Sequence, residues 1–148
     1  GPALVKAPFP SAEIEIWKEV AKGYRDDPLK VAKRFEFIIK NQNPDWEDVD
    51  MLLGEMSETE RQMILNTARV QVQAQIISGV LHGTTVEQEI PMDNPNWNPN
   101  IPQHYERLRK YREWVKYSFE LAIPKSINYS VLYEMKQGPR ETPTEFLD

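Results

Sequence analysis

The sequence contains no cysteine and only two histidines, His82 and His104, in 148 residues. The first absence excludes disulfides, thiolate zinc sites and cysteine nucleophiles together. The two histidines stand far apart, with no serine or carboxylate constellation around either. A nucleophile–base pair or a histidine-ligated metal is therefore unsupported, and neither catalysis nor a cofactor is expected. Positive charge is also in deficit: 18 Lys+Arg against 23 Asp+Glu leave a net charge of −5 and a sequence pI of about 5.2, without the basic footprint of a nucleic-acid binder. No apolar run approaches the roughly 20 residues that span a bilayer, and no signal-peptide pattern opens the chain, so no membrane partner is expected.

What the chain does contain is proline, 12 residues, placed between helical patterns rather than inside them. That placement predicts an all-α domain with stiff, irregular connections. Residues 1–10, with Pro2, Pro8 and Pro10, have no period and read as an extended arm. Ser11 can cap a first helix to about Tyr24, with Ile14, Trp17, Ala21 and Tyr24 on one face. Asp27-Pro28 is a cap followed by a first-turn proline, opening a second helix to about Gln42 on a stripe of Val31, Phe35, Ile38 and Ile39. Asp45 and Asp48 bracket a third start, followed by Trp46, Val49, Leu52, Leu53 and Met56. Ser57 and Glu60 form a capping box for a fourth helix, 57–77. Ile64, Leu65, Ala68, Val72 and Ile76 stripe one side of it, and Met63, Val70, Ala74 and Ile77 roughly the other. Two apolar sides predict a helix sandwiched at the centre of the bundle.

Residues 79–103 read as a long loop, with a short strand over 86–90 and Trp97 anchoring the following turns to the bundle. A fifth helix is expected over 104–123, with Leu108, Tyr111, Val115, Phe119 and Ala122 inward and Pro124 as its stop. Ser126 then caps a sixth, with Ile127, Val131, Leu132 and Met135 as its apolar face.

Three groups invite a functional reading. The acidic run Asp45, Glu47, Asp48, Asp50 and Glu55 lacks the alternating ligands and glycine turn of a calcium loop, and carboxylates in a first helical turn are favoured by the helix dipole alone. Arg107, Arg109, Lys110, Arg112 and Lys116 interleave with Tyr111, Trp114 and Tyr117, the mix of a nucleic-acid-binding face. On the helical wheel, however, Arg109, Arg112 and Lys116 share the outside with Glu106, Glu113 and Glu120, a mixed-charge solvated face. Phe37 lies on the polar side of the second helix near Lys30 and Lys33. It is either covered by the arm or a loop, or it contacts another subunit.

The last twelve residues close one helix and open another. Gly138 and Pro139 end a helix, and Thr142, Pro143 and Glu145 start the next with a capping box. A capped helix with no body reads as the beginning of a further domain. The segment Gln137-Gly138-Pro139-Arg140-Glu141-Thr142-Pro143-Thr144-Glu145-Phe146-Leu147 resembles the start of the major homology region of retroviral Gag capsid proteins, in the gammaretroviral form Q-G-P-x-E-x-P-x-x-F-L. Other pieces match in the family's order: Pro8-Phe9, Ile14 and Trp17-Lys18, Asp27-Pro28, Pro44-Asp45-Trp46-Glu47-Asp48, Leu52-Leu53-Gly54, Glu60 and Gln62, Ala68-Arg69, and Pro91-Met92-Asp93-Asn94-Pro95-Asn96-Trp97.

The resemblance implies a six-helix capsid N-terminal domain over 11–136, with a long loop between helices 4 and 5. Residues 137–148 then form the linker and the start of a C-terminal domain, with Gln137, Gly138, Glu141 and Phe146 marking the homology region. It implies no chemistry. The expected partners are further copies of the chain, in hexameric and pentameric rings of a virion shell, and host factors that bind capsids, with no direct nucleic-acid contact. The expected places are the virion core and the host cytoplasm during assembly and after entry. Neighbouring subunits would meet through the first three helices, which puts Ile16, Lys30, Lys33 and Phe37 at the contact. In the family's mature form a freed proline amine pairs with an aspartate of the third helix, Asp48 here. In this chain Gly1 precedes Pro2, and the arm before Phe9 is shorter than the family's hairpin. A host-domesticated capsid-like restriction or binding module would share the fold and differ only in genomic context or downstream sequence.

Overall fold

Helices begin where a side chain can satisfy the first free N–H groups. In the computed structural model, which describes residues 8–136 and the side chains of 8–122, Asp27 accepts from the Lys30 N–H at 3.2 Å to open α2 (Pro28–Asn41). A reciprocal box opens α3 (Trp46–Gly54): Asp45 accepts the Asp48 N–H at 2.8 Å and Asp48 the Asp45 N–H at 3.0 Å. Ser57 and Glu60 do the same for α4 (Glu58–Ile77). The expected Ser11 cap of α1 (Ser11–Lys22) is not formed. Ser11 lies inside the helix, and Pro10, which has no side-chain acceptor, takes the cap position.

The ends are equally local. Asn43, at φ 49°, follows α2 and leads into Pro44; asparagine is one of the few residues that tolerate this left-handed geometry. Gly79, at φ 82°, closes α4. The Val80 N–H donates to Gln75 O at 2.9 Å and the Gly79 N–H to Ile76 O at 3.1 Å, the two bonds of a Schellman motif.

The described residues are all-α, with six helices and no strand. The centre of the bundle is not α4 but α6 (Pro102–Lys136), against which both α4 and α2 pack; α1 lies on α2 and α3 on α4. Among the described residues, one side of α4 is more fully covered than the other. Ile64, Leu65, Ala68 and Val72 are buried, whereas Val70 and Ile77 are 60% and 75% exposed. Of the second apolar stripe, Met63 is half-buried against the core, and Val70, Ala74 and Ile77 are exposed among the described residues. The core is aromatic between α1, α2 and α6, where the Trp17 and Phe35 rings both pack on Phe119, at 6.0 and 4.9 Å between centroids. The Trp17 indole donates to Leu52 O at 2.7 Å, tying α1 to α3.

Two expectations fail between α4 and the end of α6. Residues 86–90 do not form a strand. Thr85 and Gln88 make a capping box, and the segment turns into the short helix α5 (Val86–Glu89). A T-x-x-Q box favours helix locally, and it outweighs the β-propensity of Val86 and Ile90. The expected fifth and sixth helices are one, because α6 continues through Pro124. An interior proline loses one hydrogen bond and clashes with the preceding turn, at a cost of about 3 kcal/mol. That penalty is local and does not by itself stop helical turns on either side. The arm before residue 8 and the homology-region residues Gln137, Gly138, Glu141 and Phe146 lie outside the described residues.

Candidate self-association surface

Glu13 and Arg34 form the ion pair that joins α1 to α2. Glu13 is buried because it sits one turn before Trp17 on the inward stripe, a periodicity that marks it in the sequence although its charge argues otherwise. The same Arg34 guanidinium lies over the Phe37 ring, 4.6 Å from its centroid. Arg34 thus braces Phe37, one turn further along α2, in an outward position. Phe37 is 45% exposed, and Ile16, one turn after Glu13 on α1, is 44% exposed. Neither is covered by the arm segment or a loop among the described residues.

Lys30 and Lys33 are exposed and fall within about 60° of Phe37 on the α2 wheel, at 100° per residue. The structure therefore gathers Lys30, Lys33 and Phe37 on one stripe, with Ile16 on the adjoining helix. Asp48 stands apart on α3, where its carboxylate already caps the helix.

The basic residues of α6 have internal work. Glu89 is buried and accepts from four side chains: Thr84 at 2.8 Å, Arg107 at 3.2 Å, Lys110 at 3.1 Å and the Trp114 indole at 3.3 Å. Burial alone would push its carboxyl up, but the donors from Thr84, Lys110 and Trp114 outweigh this and hold it below the usual carboxylate range. Arg112 is buried, not on the solvated face expected for it. It donates to Asn43 Oδ1 at 2.7 Å and Pro44 O at 3.2 Å, pinning the α2–α3 turn. Its spacing from Leu108 and Val115 places it beside the inward stripe, a signal that a wheel read by charge alone overlooks.

The long connection is anchored as expected at Trp97, whose ring meets Tyr111 edge-on at 5.9 Å. It is also tied where no anchor is expected. Besides Glu89, the Trp46 indole donates to Pro91 O at 3.3 Å and the Asn94 amide to Glu47 at 2.7 Å. Arg107 and Lys110 thus clamp a loop to the bundle, and Arg109 pairs with Glu106 one turn away. Among the described residues no cluster of His, Cys, Asp and Glu is arranged to hold a metal, and no helix is long and apolar enough to cross a membrane.

The described residues thus form an all-helical frame with apolar side chains such as Ile16 and Phe37 turned outward. The sequence model of the Gag P30 core shell protein matches residues 12–148. The chain belongs to this family. Its relatives include the Glyco-Gag protein of feline leukemia virus and the Gag polyprotein of Duplan murine leukemia virus, each 28% identical over 142 residues, or 95% of this chain. The Gag polyprotein of a Friend murine leukemia virus isolate is 26% identical over the same length. The chain spans about a quarter of these relatives, 24%, 27% and 26% of their lengths. It is a gammaretroviral-type Gag capsid domain, and the role of that family is structural rather than enzymatic.

Proposed function

We propose that this Gag capsid domain is the N-terminal, ring-forming half of a capsid protein, self-associating into the hexamers and pentamers of a virion core shell. It would do so in the virion and, during assembly and after entry, in the host cytoplasm. Residues 11–136 form the domain, 1–10 the arm, and 137–148 the linker and the start of the dimerising half, with Gln137, Gly138, Glu141 and Phe146 opening the homology region. Subunits meet through the outward sides of α1, α2 and α3, with Ile16, Lys30, Lys33 and Phe37 in the contact. In the family's processed form the acceptor for the N-terminal amine would be Asp48, in addition to the helix-capping bond it makes here. Host capsid-binding factors are a second class of partner, and nucleic acid is not bound directly.

The observation that supports this reading best is Phe37: an aromatic ring held outward over a guanidinium that is itself locked to α1. A side chain braced in this way is poised for a partner, since aromatic residues are enriched at interface centres. The test is Phe37→Glu in the full-length capsid protein. Helical signal and melting temperature should stay near wild type while rings or particles are lost. Normal assembly with a charge at this position would remove Phe37 from the interface, and unfolding of the variant would make it a core residue.

A further inference from the structure

Two tryptophans that the core does not fully absorb line one cleft. It measures about 340 Å³ and lies between the start of α3, with Asp45, Trp46 and Glu47, and the connection into α6, with Asn96, Trp97 and Asn98. Both indoles are half-buried at the edge of the core. The walls are held from within: the Trp46 indole donates to Pro91 O at 3.3 Å, the Asn94 amide donates to Glu47 at 2.7 Å, and the Trp97 ring rests on Tyr111. None of Ile16, Lys30, Lys33 and Phe37 lines the cleft, so nothing here depends on the self-association reading.

The hydrogen-bonding capacity of the walls is weighted toward donors. The Asn94 amide oxygen already takes the Asn96 N–H at 2.8 Å, and the Asn98 amide oxygen takes the Asn100 N–H at 2.9 Å. By contrast, the Trp97 indole N–H and the side-chain amides of Asn96 and Asn98 donate to no group among the described residues. Charge is of one sign. Among the described residues lining the cleft, Asp45 and Glu47 are the charged ones, and the chain has no lysine or arginine from Asn41 to Glu60 or from Val70 to Glu106. A fitting ligand therefore offers apolar rings, carbonyl acceptors with few N–H groups, and positive charge.

A polyproline II segment meets the first two demands. Each proline presents a pyrrolidine ring and a carbonyl but no N–H, and the helix spends none of its carbonyls internally. We propose that the Trp46–Trp97 cleft binds a proline-rich segment of a partner protein, with a lysine or arginine beside the prolines paired to Glu47. Glu47 is exposed and carries that role, whereas Asp45 caps α3. An aromatic groove suits such a ligand because the preformed helix loses little entropy on docking.

The experiment titrates the isotope-labelled chain with a synthetic peptide of one lysine and seven prolines and follows the four indole N–H signals by NMR. Trp97 should move most and Trp46 next. Trp17, bonded to Leu52 O, and Trp114, bonded to Glu89, should stay in place. Glu47→Gln should raise the peptide Kd roughly three- to fivefold, the scale of one exposed ion pair, and Glu47→Lys should raise it further. A peptide with glutamate in place of its lysine should bind correspondingly weakly, and one with glycines in place of its prolines should move nothing. An unmoved Trp97 signal would overturn the proposal, as would a glycine peptide that binds as well or a Kd indifferent to Glu47→Gln. So would either of two rival occupants: tetramethylammonium chloride shifting Trp97 as far as the peptide does, or the same shifts on concentrating the chain alone. Melting curves control for folding; if Glu47→Lys does not melt cooperatively, Glu47→Gln and the two altered peptides decide.

Discussion

Single residues set the most specific constraints. Glu89 holds the α4–α6 connection through four side-chain donors. Because its folded-state pKa is depressed below the ordinary 4.5, its contribution is present above that value and lost as the pH falls through the folded-state value. Glu89→Gln should therefore cost about 1–3 kcal/mol at pH 7. The gap to wild type should narrow as the pH falls through that depressed value, below which both side chains are neutral. Urea unfolding of the two proteins at pH 7 and in mild acid measures it; a gap that widens in acid would contradict the assignment. Arg112→Ala should cost a similar ~1–3 kcal/mol, since it leaves the buried Pro44 O without its donor and removes the tie to Asn43 at the α2–α3 turn. A change within about 0.5 kcal/mol would class Arg112 with ordinary surface residues.

Among the elements, α4 separates pattern from packing. Both of its stripes are apolar in sequence, yet Ile64, Leu65, Ala68 and Val72 are buried while Val70 and Ile77 are exposed. Leu65→Ala should cost about 2–5 kcal/mol, the range for a buried leucine. Val70→Ala should stay within about 0.5 kcal/mol. Equal losses in thermal or urea unfolding would restore α4 as a sandwiched central helix.

For the whole molecule, the exposed apolar surface at the contact is small: Ile16 and Phe37, each a little under half exposed. Interfaces this slight fall short of the roughly 1,200–2,000 Å² of a stable complex. On the proposed function, the isolated domain should therefore be a monomer in dilute solution and form rings only when crowded or tethered to the proposed dimerising half. Sedimentation across a concentration series checks this. A stable dimer at micromolar concentration would point to a larger, different interface.

The all-α class, the helix starts at residues 28, 46 and 58 and most of the core were readable from sequence alone. Caps, proline placement and 3.6-residue periodicity act within a few residues, and Asp27, Asp45 and Ser57 each form the bond their spacing predicts. Family membership was readable for a related reason: ordered short motifs survive at 28% identity. The exposed Phe37 was visible as an aromatic off its helix's stripe. What tertiary structure alone decided is where neighbours fall. It chose which of the two α4 stripes is covered, made α6 the hub, and carried the helix through Pro124. It also buried Glu13, Glu89 and Arg112 against partners that lie 18 to 69 residues away in sequence. A periodic pattern states which face of a helix is apolar. Only the assembled chain supplies the opposing surface and the counter-charge that make burial favourable.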